Sequence, residues 1–376
     1  MKRAGCILLM LLLLLPVRAE AGGYKSALLM ERSTGKVLQE ENAHERLAPA
    51  SVTKIMTMLL VMEAVDSGQL RWEDQVTASE TAAAKGGSQI YLKVGETMTV
   101  QDMMKSVAVS SANDCACALA EHLCGSEEAF VEKMNEKAAK LGMQDTHFVN
   151  CTGLDDGPDG AQHRTSAYDI GLMSRELLDK HPDIRKFTTI WMDTVRNGTF
   201  GLSNTNRLVR FYRGATGLKT GFTRGAGFCL SASASREGME LIAVVMGADS
   251  SGGRFGACKS MLDYGFANFA LLSPELPEDH FVEVTLGTEE KVPVKLQTEA
   301  NFLVEKGQKA QASREIRLEE QVEAPVAEGA PLGALVLKAG DQLLTEIPLV
   351  AAAPVARLTW WDLFQRVLGK MAMAKL

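Results

Sequence analysis

Strand-type patterns at both ends of one long region, with helical patterns between them, constrain the fold of this chain most strongly. Residues 26–31 and 36–40 read as two short strands joined by the turn Ser33-Thr34-Gly35. Strand patterns return much later, at 217–219, 228–234 and 241–247. A closing helix is predicted from Arg254 to about Leu271. Strands from the two ends are expected to pair in one antiparallel sheet flanked by the intervening helices, which is an α+β arrangement.

The composition changes after Ser273-Pro274, where apolar and polar residues begin to alternate. This alternation covers 282–286 and 292–296, and further strand patterns flank the turn at 339–341. A small β-rich domain is therefore predicted. The chain divides into four expected segments: a signal peptide at 1–21, a large α+β domain at 22–272, the β-rich domain at 273–354 and a C-terminal helix at 355–376.

The first 21 residues have the pattern of an export signal. Lys2 and Arg3 precede an apolar stretch at 7–15, and Ala19-Glu20-Ala21 resembles a cleavage site. An uncleaved membrane anchor is the alternative, but the apolar stretch is short for a span. The sequence predicts an exported protein.

Composition and charge exclude several kinds of function. With 40 basic and 47 acidic residues the net charge is −7, so no nucleic-acid partner is expected. The six histidines are scattered and no C-x-x-C or H-E-x-x-H motif is present, so neither a metal nor another cofactor is predicted. The clustered cysteines at 115, 117 and 124 are interpreted as small buried residues, with a disulfide as the less favoured alternative.

The C-terminal segment is amphipathic. Its apolar residues recur at helical spacing, at Leu358, Trp361, Phe364, Leu368 and Met371. Such a helix, with tryptophans and a net positive charge, is typical of a segment that lies on a membrane surface. The alternative is a helix that packs on the protein's own core.

An S-x-x-K motif, Ser51-Val52-Thr53-Lys54, begins an apolar helical run that stops near Gly68. The motif also occurs at Ser33-Thr34-Gly35-Lys36, but there it lies in the predicted turn. Of the two motifs, only Ser51 and Lys54 lie in a predicted helix, where residues three positions apart share a face. A serine hydroxyl needs a neighbouring base to become a nucleophile, and Lys54 is the local candidate if burial and nearby cations lower its pKa.

Two further motifs supply complementary chemistry. Ser111-Ala112-Asn113 offers a hydroxyl that can pass a proton to a leaving amine, and an amide that can hold a substrate amide. Lys219-Thr220-Gly221 offers a cation that can bind a substrate carboxylate and sit close to Lys54. The backbone N–H of Ser51 can serve as an oxyanion donor.

At these residues the chain resembles the low-molecular-mass penicillin-binding proteins, the serine-type D-alanyl-D-alanine carboxypeptidase family. The resemblance covers residues 24 to about 270 and is most specific at 47–57, 111–114 and 217–223. It implies a penicillin-binding-protein/β-lactamase-like catalytic domain followed by a small all-β domain and an amphipathic helix. It also implies peptidoglycan stem peptides ending in D-Ala-D-Ala as substrate, β-lactams as covalent inhibitors, and a position on the outer face of the cytoplasmic membrane.

The resemblance completes the predicted site. It makes the Phe222 N–H the second oxyanion donor and gives Arg254 a part in binding the terminal carboxylate. His163 belongs to a central signature that the resemblance makes structural or cleft-shaping, and it is left outside the catalytic set. The predicted catalytic residues are Ser51, Lys54 and Ser111, and the predicted substrate-binding residues are Asn113, Lys219, Thr220, Gly221, Phe222 and Arg254.

Two other functions compete with the carboxypeptidase. A class A β-lactamase needs a glutamate that positions the deacylating water, but the loop at 155–159 offers aspartates and no glutamate. A non-catalytic wall-binding protein would have no need for all three motifs. Endopeptidase or transpeptidase chemistry through the same acyl-enzyme is a further possibility.

Overall fold

The computed structural model of the chain describes residues 23–155, 159–276, 280–298 and 301–373. The predicted signal peptide lies outside these residues. Within them, no helix is long and apolar enough to cross a membrane.

The first region contains a helical part inserted between paired strands. Its strands are β1 (Ser26–Glu31), β2 (Val37–Glu41), β3 (Gln75–Thr77), β4 (Thr97–Thr99), β5 (Met192–Val195), β6 (Phe200–Ser203), β7 (Ala215–Thr223), β8 (Gly227–Arg236) and β9 (Met239–Ala248). Its helices are α1 (Lys54–Asp66), α2 (Glu80–Ala83), α3 (Val100–Ser110), α4 (Asn113–Cys124), α5 (Glu127–Lys140), α6 (Ala167–Lys180), α7 (Arg185–Thr188), α8 (Leu208–Phe211) and α9 (Ser251–Asn268).

One five-stranded antiparallel sheet, in the order β2-β1-β9-β8-β7, joins the two ends of this region. The predicted α+β fold is therefore confirmed. Side chains of a strand alternate between faces, and β1 shows the result. Leu28 and Met30 enter the core with α1 and α6, whereas Ala27 and Leu29 enter a second core with α9. The sheet is buried on both faces, and β7 is left as an edge strand beside α1.

The remaining described part of the chain contains the predicted β-rich domain and a last helix. Its elements are β10 (Phe269–Leu272), β11 (Phe281–Thr285), β12 (Lys291–Leu296), β13 (Phe302–Glu305), α10 (Lys306–Ala310), β14 (Ala312–Leu318), β15 (Gln321–Glu323), β16 (Pro331–Ala339), β17 (Gln342–Ala351) and α11 (Trp360–Met373). Six of these strands form a sheet in the order β14-β16-β17-β12-β11-β15.

The structure corrects the predicted end of the closing helix. Helix α9 stops at Asn268, and the residues that follow form β10 rather than a last helical turn. Strand β10 pairs with β13, with Phe269 opposite Glu305. The run of β10 is short and wholly apolar, and such a run does not distinguish a strand from the end of a helix. Strands β13 to β15 went unpredicted because Val304 is the one buried residue among them, so little alternation of apolar and polar residues marks them.

Candidate active site

Ser51 lies in a 3-10 turn, Ala50–Thr53, that leads directly into α1. Its Oγ is 2.9 Å from Nζ of Lys54, which is fully buried. The same amine donates to the carbonyl oxygen of Thr152 at 2.8 Å. The serine and lysine predicted from their spacing are therefore in direct contact.

Burial lowers the pKa of Lys54 to about 7, and the weaker influences of Cys151 and Asp114 only partly oppose this. A neutral amine next to a hydroxyl can accept its proton. Because ammonium groups are ordinarily charged until well above pH 10, burial is what fits Lys54 for the role of base.

Two side chains hold the turn that carries Ser51. The Thr53 hydroxyl donates to the carbonyl oxygen of Ala50 at 2.8 Å, and Ala50 has a left-handed φ of 48°. Nε2 of His163 lies 2.7 Å from the same hydroxyl, while its Nδ1 accepts the N–H of Val149 at 3.1 Å. Burial is the main cause that lowers the pKa of His163, to about 4. A neutral histidine that donates to Thr53 supports the turn, as its structural interpretation required.

Ser111 and Asn113 lie where α3 ends and α4 begins. Ser111 is buried, with a left-handed φ of 63°, a conformation that a non-glycine residue adopts only when its surroundings hold it there. The backbone N–H of Asn113 donates to Ser88 at 2.7 Å, and its Nδ2 donates to Gly86 at 2.6 Å. Its Oδ1 is buried without a partner among the described residues, so it can accept a hydrogen bond from a substrate amide.

Strand β7 brings the third motif against the turn of Ser51. A Cβ placed on Gly221 would lie 2.7 Å from the carbonyl oxygen of Pro49 and 3.1 Å from the backbone nitrogen of Ser51. A side chain at this position would push the strand away from the nucleophile. Glycine is therefore required in the motif by close approach of the two backbones.

Lys219 is buried and its Nζ donates to the carbonyl oxygen of Thr220 at 3.0 Å. Burial, followed by the charges of Lys54 and Arg254, holds the pKa of Lys219 well below its usual value. The sequence suggested that Lys219 lowers the pKa of Lys54, but burial causes that shift and is also the largest cause of the lowered pKa of Lys219. An entering carboxylate would favour the charged form of Lys219.

Arg254 lies in the first turn of α9, where Ser250 caps the helix by accepting the N–H of Gly253 at 3.0 Å. Its Nη1 donates to the carbonyl oxygens of Gly221 at 2.8 Å and Cys229 at 3.1 Å. Its Nε is buried with no partner in the described part of the chain. The guanidinium thus fixes β7 and keeps one donor for a ligand.

Phe222, the next residue of β7, is 53% exposed and packs on Phe228 with ring centroids 4.3 Å apart. Its ring forms part of the surface next to the motif.

Residues that sequence reasoning missed link these segments. The hydroxyl of Thr220 donates to that of Thr205 at 2.6 Å, and Thr223 donates to the Asp155 carboxylate at 2.5 Å. The side chain of Asn206 donates to the carbonyl oxygen of Gly217 at 2.9 Å. Thr205 and Asn206 occur in a loop without a motif of its own, so no local signal identifies them.

The arrangement supports one class of chemistry. A serine activated by a buried amine can attack a carbonyl carbon, and the cationic groups around β7 can bind a neighbouring carboxylate. The fold and site thus define a serine enzyme of acyl transfer.

Comparison with known proteins places the chain within that class. The profile described as D-alanyl-D-alanine carboxypeptidase matches residues 18–250, and the profile of the C-terminal domain of penicillin-binding protein 5 matches residues 279–357. The chain therefore belongs to the D-alanyl-D-alanine carboxypeptidase family. It is a serine DD-carboxypeptidase that acts on D-Ala-D-Ala peptides and binds β-lactams, as the sequence predicted.

Individual relatives agree with this assignment. D-alanyl-D-alanine carboxypeptidase DacF of Bacillus subtilis (strain 168) is 43% identical over 351 residues, covering 92% of this chain and 89% of the relative. DacC of Escherichia coli (strain K12), with the same enzyme name, is 33% identical and covers 89% and 84%. The crystal structure of penicillin-binding protein 5 from Haemophilus influenzae has a TM-score of 0.76 at 29% identity, covering 91% of this chain and all of that one.

Proposed function

We propose that Ser51 carries the acyl group and that Lys54 is its general base. The hydroxyl attacks the carbonyl carbon of the penultimate D-Ala while Lys54 takes its proton. The peptide C–N bond then breaks, and Ser111 passes the proton to the amine of the departing D-Ala. Water hydrolyses the ester in a second step. The observation that carries this proposal is the 2.9 Å contact between Oγ of Ser51 and Nζ of a lysine whose pKa is lowered to about 7.

The remaining predicted residues bind the substrate. Lys219, Thr220 and Arg254 hold the terminal carboxylate, and the unpaired Oδ1 of Asn113 accepts a substrate N–H. Gly221 lets β7 approach the backbone at Ser51 closely, and the backbone N–H groups of Ser51 and Phe222 stabilise the oxyanion.

Release of D-Ala from a peptide ending in Lys-D-Ala-D-Ala tests the activity, and intact-mass spectrometry after penicillin treatment tests the nucleophile. We expect one adduct, on the peptide that contains Ser51, and none in Ser51→Ala. Ser33→Ala is the matched control because Ser33 belongs to the other S-x-x-K sequence. An adduct that persists unchanged in Ser51→Ala would reject the assignment.

We further propose that the chain is exported after removal of residues 1–21. In this proposal 22–272 form the catalytic domain, 273–354 the β-rich domain, and 355–376 attach the enzyme to the outer face of the cytoplasmic membrane. The attachment is supported by the exposure of three aromatic side chains, which is 78% for Trp360, 62% for Trp361 and 43% for Phe364. A helix that packed on the core of the protein would bury them. Each tryptophan ring instead stacks with the ring of Phe364.

Charge adds to this apolar surface. Arg357, Arg366, Lys370 and Lys375 outnumber Asp362 in the C-terminal segment, and each excess cation contributes about 1 kcal/mol of attraction to anionic lipid headgroups. A chain truncated after Ala353 should retain full carboxypeptidase activity but fail to float with anionic liposomes, unlike the full mature chain. Equal flotation of both would show that the helix packs on the protein.

A further inference from the structure

Glu127 is a nearly buried carboxylate at the start of α5, outside the three motifs. Its Oε1 accepts the backbone N–H and the thiol of Cys151, both at 3.1 Å. Its Oε2 accepts the ammonium of Lys85 and, at 3.8 Å, the thiol of Cys117. Burial raises the pKa of Glu127, but the hydrogen bonds from Lys85 and Cys151 outweigh this and lower it overall. The group is an ionised acceptor that joins two loops.

The first loop leads to the general base. Cys151 accepts the Thr57 hydroxyl at its carbonyl oxygen, at 2.7 Å, and so is fixed to α1. The next carbonyl, that of Thr152, is the one that receives Nζ of Lys54 at 2.8 Å. Glu127 therefore binds the residue directly before Thr152, whose carbonyl oxygen orients Lys54.

The second loop leads to Asn113. Lys85 directly precedes Gly86, whose carbonyl oxygen accepts Nδ2 of Asn113 at 2.6 Å. The carbonyl oxygen of Ser88 accepts the Asn113 backbone N–H at 2.7 Å. The ion pair of Lys85 with Glu127 thus anchors the loop that fixes the orientation of the Asn113 amide.

We propose that Glu127 is a positioning residue that aligns the base Lys54 and the substrate-binding Asn113 with each other. The proposal rests on the roles given to those two residues under the proposed function. No other side chain in the described part of the chain hydrogen-bonds both to Lys85 and to the backbone of Cys151.

Two kinds of variant separate the two loops. Glu127→Gln keeps an oxygen that can accept the Cys151 N–H but loses the charge that holds Lys85, and Lys85→Met loses the same ion pair from the other side. Glu127→Ala loses both contacts. Glu128→Gln is the matched control, since its side chain is the exposed neighbour on the same helix.

The readout is the rate of acylation by penicillin, measured as a function of pH. The rate is divided by the number of active sites, which is counted by labelling with excess penicillin. We expect Glu127→Gln and Lys85→Met each to slow acylation roughly tenfold, without further loss in the double variant and with an unchanged pH midpoint. We expect Glu127→Ala to slow it roughly 100-fold and to move the midpoint upward, because a loosened Thr152 carbonyl lets water reach Lys54.

A purely structural role would lower the yield of active sites and the melting temperature but leave the rate per site and its pH midpoint unchanged. If Glu127→Gln and Lys85→Met acylate like Glu128→Gln, the proposal is overturned, even if Glu127→Ala fails to fold. If the wild-type protein itself does not acylate, the proposed function fails first, and this inference fails with it.

Discussion

The catalytic region and the C-terminal sheet differ in whether they bury polar and charged side chains. Among the described residues, every buried polar or charged side chain lies between Ser26 and Arg254. The buried side chains of the later sheet are all apolar. Its charges lie at the surface, as in the ion pairs of Glu315 with Arg317 and Lys338.

The contrast follows from the cost of removing charge from water. A buried ammonium or guanidinium destabilises a fold unless it is paired, and burial favours its neutral form. Lys54 and Lys219 are both fully buried amines whose pKa burial lowers. The proposed mechanism gives a reason for the catalytic region to retain them, because it needs a neutral base at Lys54 and a positive group at Lys219 once the substrate carboxylate is bound. The sheet domain has no such requirement, so its core is apolar.

The largest effect is expected from Lys219→Gln, which removes the cation but keeps a hydrogen-bonding side chain. We expect kcat/KM for D-Ala release to fall on the order of 100-fold, as when one electrostatic donor of a catalytic site is lost. Lys219→Arg should retain part of the activity because it keeps the charge. Lys259→Gln, a change at an exposed lysine of α9, is the control. Near-normal acylation by Lys219→Gln would mean that Arg254 binds the carboxylate alone.

A smaller, graded effect is expected from pH. In the proposed mechanism the free enzyme needs neutral Lys54, so acylation by penicillin should rise about tenfold per pH unit below the pKa of about 7 and level off above it. Stopped-flow measurement of the acylation rate between pH 5 and 9 would show the midpoint. A rate that stays flat through this range would contradict a lysine base whose pKa is lowered by burial.

The smallest effect is expected in the sheet domain. Glu315→Gln breaks two exposed ion pairs, which contribute little because water screens them. The melting temperature and the rate of D-Ala release should both match those of the wild type. A clear fall in the melting temperature would contradict this expectation. It would show that these exposed ion pairs stabilise the sheet domain more than solvent-screened pairs usually do.

Much of the site could be predicted because its signals are local. The serine and lysine at positions 51 and 54 lie one helical turn apart, so their contact follows from helix geometry. The strands predicted at 228–234 and 241–247 also have a local signal, since a tight turn joins them. They correspond to β8 and β9. Strand β10 was mistaken for the end of a helix because its short apolar run fits either structure, and only the pairing with β13 decides between them.

By itself the sequence determined the order of the motifs, the helix that begins at the nucleophile and the antiparallel sheet formed by the two ends of the region. Tertiary structure alone decided the electrostatics. The pKa of Lys54 depends on complete burial, and the orientation of the Asn113 amide depends on its hydrogen bond to Gly86. The contacts of Glu127 with Lys85 and Cys151 join segments that meet only in the fold. Desolvation and hydrogen bonding are set by all the atoms that surround a group, and most of those atoms come from residues distant in sequence.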